Sequence, residues 1–137
     1  MEGMVHAYFQ RVLTSEDSKV ARSILANEIE HRDMVRDIGY KGVDEILDYV
    51  RQVKKAYPQL WVEAVNFGPS EDGKSIFAAF EGLATDTTPL FKGVDLFRFN
   101  DDVSRIVEVE VYRSNWQGAK GHEQRKKENE GKKPSPV

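Results

Sequence analysis

The sequence predicts an α+β fold in which helices cover one face of an antiparallel sheet. Apolar residues recur at helical spacing in the first half of the 137-residue chain. In the second half they recur at every second residue, which is the period of a strand with one buried face. Helices that come first and strands that follow as hairpins are typical of a sheet with helices packed on one side.

Three helices are predicted in the first half. The first covers residues 5–13, where the apolar side chains fall on one helical stripe. The second follows a turn at 14–17, which offers N-cap residues, and it includes Leu25 in its apolar stripe. The third covers 43–56 and ends before Pro58, because the residue preceding a proline disfavours helical backbone.

Four long strands are predicted in the second half, where turn residues separate segments with period-two alternation. These strands cover residues 60–67, 75–85, 91–100 and 105–113. A shorter strand over 28–34 precedes the third helix, and we expect a glycine-containing loop at 39–42 between them.

Composition excludes several classes of protein. The chain has no cysteine, so disulfide bonds and thiolate chemistry are excluded. Its net charge of −3 argues against a dedicated nucleic-acid binder. No segment approaches the roughly 20 apolar residues needed to span a bilayer, and the N-terminus lacks a secretory signal pattern. We therefore expect a soluble, cytoplasmic protein with neither nucleic acid nor membrane as a partner.

The C-terminal segment 117–137 differs in character from the rest of the chain. It contains six Lys/Arg, three Glu and two Pro residues and almost no aliphatic or aromatic side chains. Such a segment cannot bury a core, so we expect a charged, disordered tail. The folded domain is expected to cover residues 1–116.

Asp95 is the residue that most strongly suggests a functional site. In the predicted strand 91–100 it shares a face with Phe97 and Phe99, because alternate strand residues point the same way. A carboxylate on an apolar face is costly unless it is paired, hydrogen-bonded or protonated. Asp95 is therefore either a structural polar anchor or part of an active site.

The order of the elements and several short segments carry a family resemblance. The segments are residues 24–28 with 31–33, 40–46, and 93–99 with 105–108. Together they resemble the nuclear-transport-factor-2-like fold, in its SnoaL-like and ketosteroid-isomerase-like branch, over residues 4–116. The resemblance implies a cone-shaped, curved, mixed or antiparallel sheet wrapped around three N-terminal helices, with an apolar pocket inside. It also implies a homodimer formed through the sheet face.

The same resemblance implies four catalytic residues. Asp33 matches the position of the isomerases' general base, and Asp95 matches that of their protonated aspartic acid. Tyr8 matches their tyrosine with an offset of one residue, which we attribute to the turn at 14–17. His31, two residues before Asp33, departs from the isomerase pattern and suggests different proton transfer, closer to SnoaL-like cyclases or dehydratases.

Each of these residues also has a structural interpretation. Tyr8 on the apolar stripe of a helix can be a core tyrosine with a satisfied hydroxyl. Asp33 at a strand end can form a turn or cap, and His31 can be a hydrogen-bonded core residue. Asp95 can accept hydrogen bonds from the backbone or from an arginine. The sequence leaves both interpretations open for all four.

Three further residues are candidates for substrate contact. Phe97 and Phe99 share the face of Asp95, and Glu81 lies between apolar residues of the preceding strand as a second candidate buried carboxylate. The last strand has one face with Ile106, Glu108, Glu110 and Tyr112, and one with three valines. The sequence does not decide which of these faces points outward, although an aliphatic outer face would suit a dimer interface.

The leading hypothesis is a cofactor-independent acid–base enzyme acting on a small apolar substrate with a carbonyl group, as an isomerase, cyclase or dehydratase. No metal site is expected, since the histidines at 6, 31 and 122 lack metal-ligand spacing. The alternative is a non-catalytic module that binds a small molecule or a protein. A cavity of a few hundred Å³ favours an enzyme or carrier, whereas a packed interior favours an interaction module.

Overall fold

Three α-helices, a π-helical segment and six strands make up the part of the chain that the computed structural model describes, residues 1–87 and 89–114. In chain order they are α1 (Glu2–Ala7), the π-helical segment (Tyr8–Leu13), α2 (Ser18–Ile24), β1 (Leu25–Asp33), β2 (Ile38–Lys41), α3 (Val43–Ala56), β3 (Trp61–Pro69), β4 (Ser75–Leu83), β5 (Phe91–Phe99) and β6 (Ile106–Ser114). The predicted tail 117–137, and with it the domain boundary at 116, lies outside the described residues.

The strands form one sheet in the order β2-β1-β6-β5-β4-β3. Strands β3 to β6 are an antiparallel meander, whereas β1 pairs with β6 in parallel, so the sheet is mixed. Register shifts interrupt the β1–β6, β3–β4 and β5–β6 pairs, and such bulges bend strands. The helices contribute their buried side chains to one core with the inner face of this curved sheet. The predicted cone-like α+β fold is confirmed.

Two predicted boundaries around β1 were wrong. Leu25, assigned to the apolar stripe of the second helix, is the first residue of β1. The expected loop at 39–42 contains a strand, β2, which pairs antiparallel with β1. Because β2 is a four-residue edge strand with mostly exposed side chains, it has no alternating apolar pattern from which to predict it. Gly42 follows with φ of 87°, a backbone conformation that favours glycine, and α3 begins after it.

The first predicted helix changes character at Tyr8. From Tyr8 to Leu13 the chain is π-helical, and the Thr14 N–H donates to the Phe9 carbonyl oxygen, five residues back, at 3.0 Å. A π-helical turn accommodates one more residue than an α-helical turn. The placement of the one-residue offset of Tyr8 in the turn at 14–17 stays a prediction, and the π-helical segment is a second place where the chain holds an extra residue. The Thr14 hydroxyl also exchanges hydrogen bonds with Val62 in β3, which attaches the helix end to the sheet.

The two faces of β6 are now distinguished. Val109 is fully buried and Val111 lines the interior, so the valine face points inward. Glu110 lies on the outer face, where Arg98 of β5 donates a hydrogen bond to it. Ile106, expected to share the face of Glu110, is instead fully buried in the core. The register shift between Arg98 and the next residue of β5 accounts for this difference. The outer face of β6 is therefore charged rather than aliphatic.

Within residues 1–87 and 89–114, the helices are too short and too polar to cross a membrane.

Gly82 in β4 lies where the sheet is tightly packed near its inner face, and a substitution there tests that packing. A Cβ atom at this position would lie 2.2 Å from the Trp61 carbonyl oxygen and 2.7 Å from Cζ of Phe91. Gly82→Ala is therefore expected to lower the free energy of unfolding by about 1–3 kcal/mol, as measured by urea denaturation. Gly68→Ala in β3 is the control, since no atom lies within 4 Å of the added methyl group. Equal stability of the two variants would contradict the close packing at Gly82.

Candidate active site

A cavity of about 80 Å³ lies between the helices and the inner face of the sheet. Most of its walls are apolar side chains from the π-helical segment, α3 and the long strands. Its polar lining residues are Tyr8, His31, Asp33, Arg36, Tyr49 and Asp95. The volume is smaller than the few hundred Å³ expected for an enzyme or carrier, but it exceeds the space that one water needs. All four predicted catalytic residues line this cavity.

Asp95 is buried on the inner face of β5, with 3% of its surface exposed. Its Oδ1 atom has no hydrogen-bond partner among the described residues. Burial raises the pKa of Asp95 well above its usual value, and the negative charge of Asp33 raises it further. The carboxyl group is therefore stabilised in its neutral form, which can donate a hydrogen bond. The structural alternative, a carboxylate held by backbone or arginine hydrogen bonds, does not account for Oδ1.

Tyr8 is buried beside this carboxyl group, with 1% of its surface exposed. Its ring packs edge-on against Phe97 of β5, with centroids 5.3 Å apart, and similarly against Phe9. Burial raises the pKa of Tyr8 well above 10, and Asp95 in its ionised form would raise it further. Tyr8 therefore keeps its proton and, like Asp95, is a donor at the buried end of the cavity.

Asp33 ends β1 and organises the turn that follows. Its Oδ1 accepts hydrogen bonds from the backbone N–H groups of Val35 and Arg36 at 3.0 and 2.9 Å. Its Oδ2 accepts one from Nε of Arg36 at 2.6 Å. Burial by itself raises the pKa of Asp33, but these bonds and the Arg36 charge outweigh it, so the pKa lies below its usual value. Asp33 has the turn-forming role of the structural alternative and lines the cavity as well.

His31 lies two residues earlier on the same inward face of β1, with 7% of its surface exposed. Its Nδ1 atom has no hydrogen-bond partner within the described part of the chain. Burial lowers the pKa of His31 to about 4, although the charge of Asp33 opposes that shift. The ring lies close to Tyr40 and Tyr49, whose own rings stack with centroids 4.7 Å apart. At neutral pH His31 is an uncharged imidazole in an aromatic setting.

Two polar residues of the cavity were missed by the sequence analysis. Tyr49 follows Ile46 by three residues and so belongs to the inward stripe of α3, a signal that the sequence contains. Burial raises the pKa of Tyr49 to about 12. Arg36 lies in the turn after β1, and no periodic pattern predicts the direction of a turn side chain.

The three predicted substrate-contact residues are not among those that line this cavity. Phe97 is fully buried and supports the Tyr8 ring instead, and Phe99 is a buried core residue. Glu81 was expected to be a second buried carboxylate, and this was wrong. It lies half-buried on the face opposite to the cavity-lining Phe80, because alternate strand residues face opposite ways.

No group of three or more histidine, aspartate or glutamate side chains is arranged to hold a metal ion in residues 1–87 and 89–114. What the cavity offers is a set of proton donors and acceptors in an apolar surround. Two donors, Tyr8 and Asp95, lie at its buried end. An uncharged imidazole and a stabilised carboxylate, His31 and Asp33, lie along β1.

Comparison of the sequence with models of protein families identifies the family of this chain. Residues 5–109 match the family model described as a SnoaL-like domain. The chain belongs to the SnoaL-like family. This match confirms the family resemblance that the sequence analysis drew from residues 4–116. None of the curated proteins compared with the chain matches it.

Solved structures agree with this assignment at low sequence identity. One is a protein of unknown function with a cystatin-like fold from Methylobium petroleophilum, with a TM-score of 0.70, 13% identity, and coverage of 88% of this chain and 78% of that one. A candidate isomerase of the SnoaL-like family from Agrobacterium tumefaciens has a TM-score of 0.64, 14% identity, and coverage of 80% and 91%. A candidate polyketide cyclase from Sinorhizobium meliloti has a TM-score of 0.66, 18% identity, and coverage of 81% and 94%. At these identities the likeness concerns the fold alone.

The raised pKa of Asp95 predicts how stability depends on pH. Between the unfolded value, about 3.9, and the raised folded value, the folded protein binds more protons than the unfolded chain. The free energy of unfolding therefore falls as pH rises through this window, by up to about 1.4 kcal/mol per pH unit. Asp95→Asn removes this loss, so the variant should match wild type near pH 4 and exceed it at pH 7 in urea titrations.

Two features make that comparison specific. The lowered pKa of His31 produces the opposite slope between about 4 and 6.5, but it is present in both proteins and cancels. Asp72→Asn is the control, for which the change in the free energy of unfolding is expected to have the opposite sign. Hydrogen bonds from the Lys74 N–H and the Ser75 hydroxyl lower the pKa of Asp72, so that variant should lose stability at neutral pH. Parallel curves for wild type and Asp95→Asn would mean that the carboxyl group is solvated.

Proposed function

We propose that this SnoaL-like protein is a cofactor-independent acid–base enzyme that moves a proton on a small apolar carbonyl compound, as an isomerase, cyclase or dehydratase. One observation carries the proposal. Tyr8, His31, Asp33 and Asp95 line the same largely apolar cavity, and the buried Oδ1 of Asp95 has no partner in the described structure. Titratable groups shifted in opposite directions within one cavity are typical of acid–base active sites.

The buried end of the cavity suits a carbonyl oxygen. Neutral Asp95 and the Tyr8 hydroxyl are both donors, and burial keeps both protonated. When a proton leaves the carbon next to the carbonyl, negative charge develops on the oxygen. Preorganised donors in an apolar site stabilise that charge more strongly than water does. In this role the two residues bind the enolate oxygen.

We assign the proton transfer to His31, with Asp33 in a supporting role. The C–H bond next to the carbonyl breaks, its electron pair forms the enolate, and the proton passes to the imidazole of His31. An uncharged ring with a free Nδ1 supports this assignment, whereas Asp33 already accepts three hydrogen bonds. The carboxylate of Asp33 stabilises the imidazolium that forms, since its charge favours the protonated ring. Return of the proton to another carbon completes an isomerisation.

The test measures the exchange of carbon-bound protons of small ketones for deuterium. The reaction is run in D₂O and monitored by NMR. Wild type should accelerate exchange above the buffer rate. His31→Gln and Asp33→Asn should each reduce kcat/KM by about 100-fold or more, and Asp95→Ala by about 100-fold. Asp72→Asn changes a turn carboxylate that is not among the cavity-lining residues, and it should exchange at the wild-type rate.

The pH profile of that exchange separates the roles. The rate should fall below about pH 4, where His31 takes up a proton, and again where the pH rises through the raised pKa of Asp95. The fall on the high-pH side should vanish in Asp95→Asn, because an amide donates at every pH. Exchange no faster than buffer across a ketone panel would overturn the proposal, as would wild-type rates in His31→Gln.

A second candidate is a non-catalytic module that binds a small molecule. Two observations favour it: the cavity measures only about 80 Å³, and the turn bonds explain Asp33 without catalysis. The same experiment separates the candidates, because a binding module shifts the NMR signals of a ketone without exchanging its protons.

The homodimer implied by the family resemblance remains a proposal. Phe77 and Tyr112 on the outer sheet face are 42% and 43% exposed, with ring centroids 6.4 Å apart. Exposed aromatic side chains favour association, so this face supports the proposal although β6 also presents charges there.

A further inference from the structure

Arg36 is the cationic residue of the cavity, and the proposed chemistry does not use it. It lies in the turn after β1 and is one of the residues that line the cavity, and its side chain is 57% exposed. Among the described residues, no other lysine or arginine lines the cavity. Arg36 therefore marks the outer end, whereas Tyr8 and Asp95, with 1% and 3% exposure, mark the buried end.

Most of the hydrogen-bonding capacity of Arg36 is unused. A guanidinium group has five N–H donors, and Nε donates to Oδ2 of Asp33 at 2.6 Å. The Nη1 and Nη2 groups make no hydrogen bond to any residue in the described ranges. Four donors therefore remain in a rigid planar fork. The bond to Asp33 holds the Nε edge of the group, which restricts the directions in which the fork can point.

We propose that Arg36 binds a carboxylate of the substrate, so that the substrates of the cavity are small oxo acids. The proposal rests on the proposed function, and it changes the substrate class from a wholly apolar carbonyl compound to one that is apolar apart from a carboxylate at the outer end. The carbonyl oxygen meets Tyr8 and Asp95 at the buried end, and the carboxylate meets Nη1 and Nη2 of Arg36 at the outer end. An arginine fork matches the two oxygens of a carboxylate geometrically.

The Asp33 carboxylate beside Arg36 does not exclude such an anion. The Asp33 carboxylate is matched by two backbone N–H groups as well as by Nε of Arg36. Burial favours the uncharged forms of both His31 and Asp95. The partial exposure of Arg36 also lowers the desolvation cost for an incoming carboxylate, which keeps part of its hydration.

The experiment compares matched probes that differ only in charge. The probes are 4-oxopentanoate and its methyl ester, with the 2-oxo and 3-oxo pentanoate pairs to vary the distance between the two groups. Dissociation constants are measured by NMR titration of the full chain. For at least one pair, wild type should prefer the acid by about tenfold or more. In Arg36→Gln that ratio should fall to about one, and in Arg36→Lys it should be intermediate, because charge remains but the fork is lost.

The acid-to-ester ratio makes the experiment insensitive to changes in the shape of the turn, which act on acid and ester alike. Loss of Arg36 also leaves the Asp33 carboxylate without its cationic partner, which disfavours the acid more than the ester, so Arg36→Lys, which keeps the charge, is the variant that isolates the contribution of the fork. Arg51→Gln is the control for lost charge, since Arg51 is exposed on α3 and pairs with Asp48; its ratio should equal that of wild type. Equal acid-to-ester ratios in wild type and Arg36→Gln, or no binding of any acid, would overturn the proposal.

Failure of this inference is distinguishable from failure of the proposed function. If esters and neutral ketones exchange protons but Arg36→Gln leaves the acid-to-ester ratio unchanged, the enzyme stands and the oxo-acid assignment is wrong. If the acids bind through Arg36 but no probe exchanges protons, the binding of a carboxylate by Arg36 is supported and the proposed catalytic function is wrong.

Discussion

The burial of the Asp95 carboxyl group against an apolar face is the constraint on which the site depends. Its Oδ1 has no partner among the described residues, so an ionised group there would lose hydration without compensation. Burial therefore selects the neutral acid. The aromatic packing of Phe97 with Tyr8 keeps water away from the same region. A well-packed apolar core next to this carboxyl group is what makes it a donor.

Asp33 shows how a second carboxyl group in the same cavity is shifted in the opposite direction. The turn after β1 directs two backbone N–H groups and the Arg36 guanidinium at it, and these donors stabilise the ionised form. Local hydrogen bonding thus governs Asp33, while desolvation governs Asp95. The negative charge of Asp33 also raises the pKa of Asp95, so the two effects reinforce each other. One carboxyl group favours its protonated form and the other its ionised form because their immediate surroundings differ.

Much of the fold could be predicted because periodicity directly reflects burial. The long strands β3 to β6 and the amphipathic helix α3 each repeat their apolar residues often enough to be recognised. Strand β2 could not be predicted, since a short exposed edge strand has no buried face. The π-helical segment and the register shift beside Arg98 were missed for another reason. Each moves the pattern by one residue, and a single such shift leaves no repeat in the sequence.

The sequence by itself determined the fold class, the inward face of Asp95 and the pairing of His31 with Asp33 on one strand face, because neighbours in a strand obey a local geometric rule. Only the tertiary structure brought Tyr8, Asp33 and Asp95 to one cavity, turned Glu81 and Glu110 away from it, and added Arg36 and Tyr49 to its lining. Those outcomes depend on strand order, on bulges and on the direction of a turn. Contacts between residues far apart in the chain decide such features, and no local pattern encodes them.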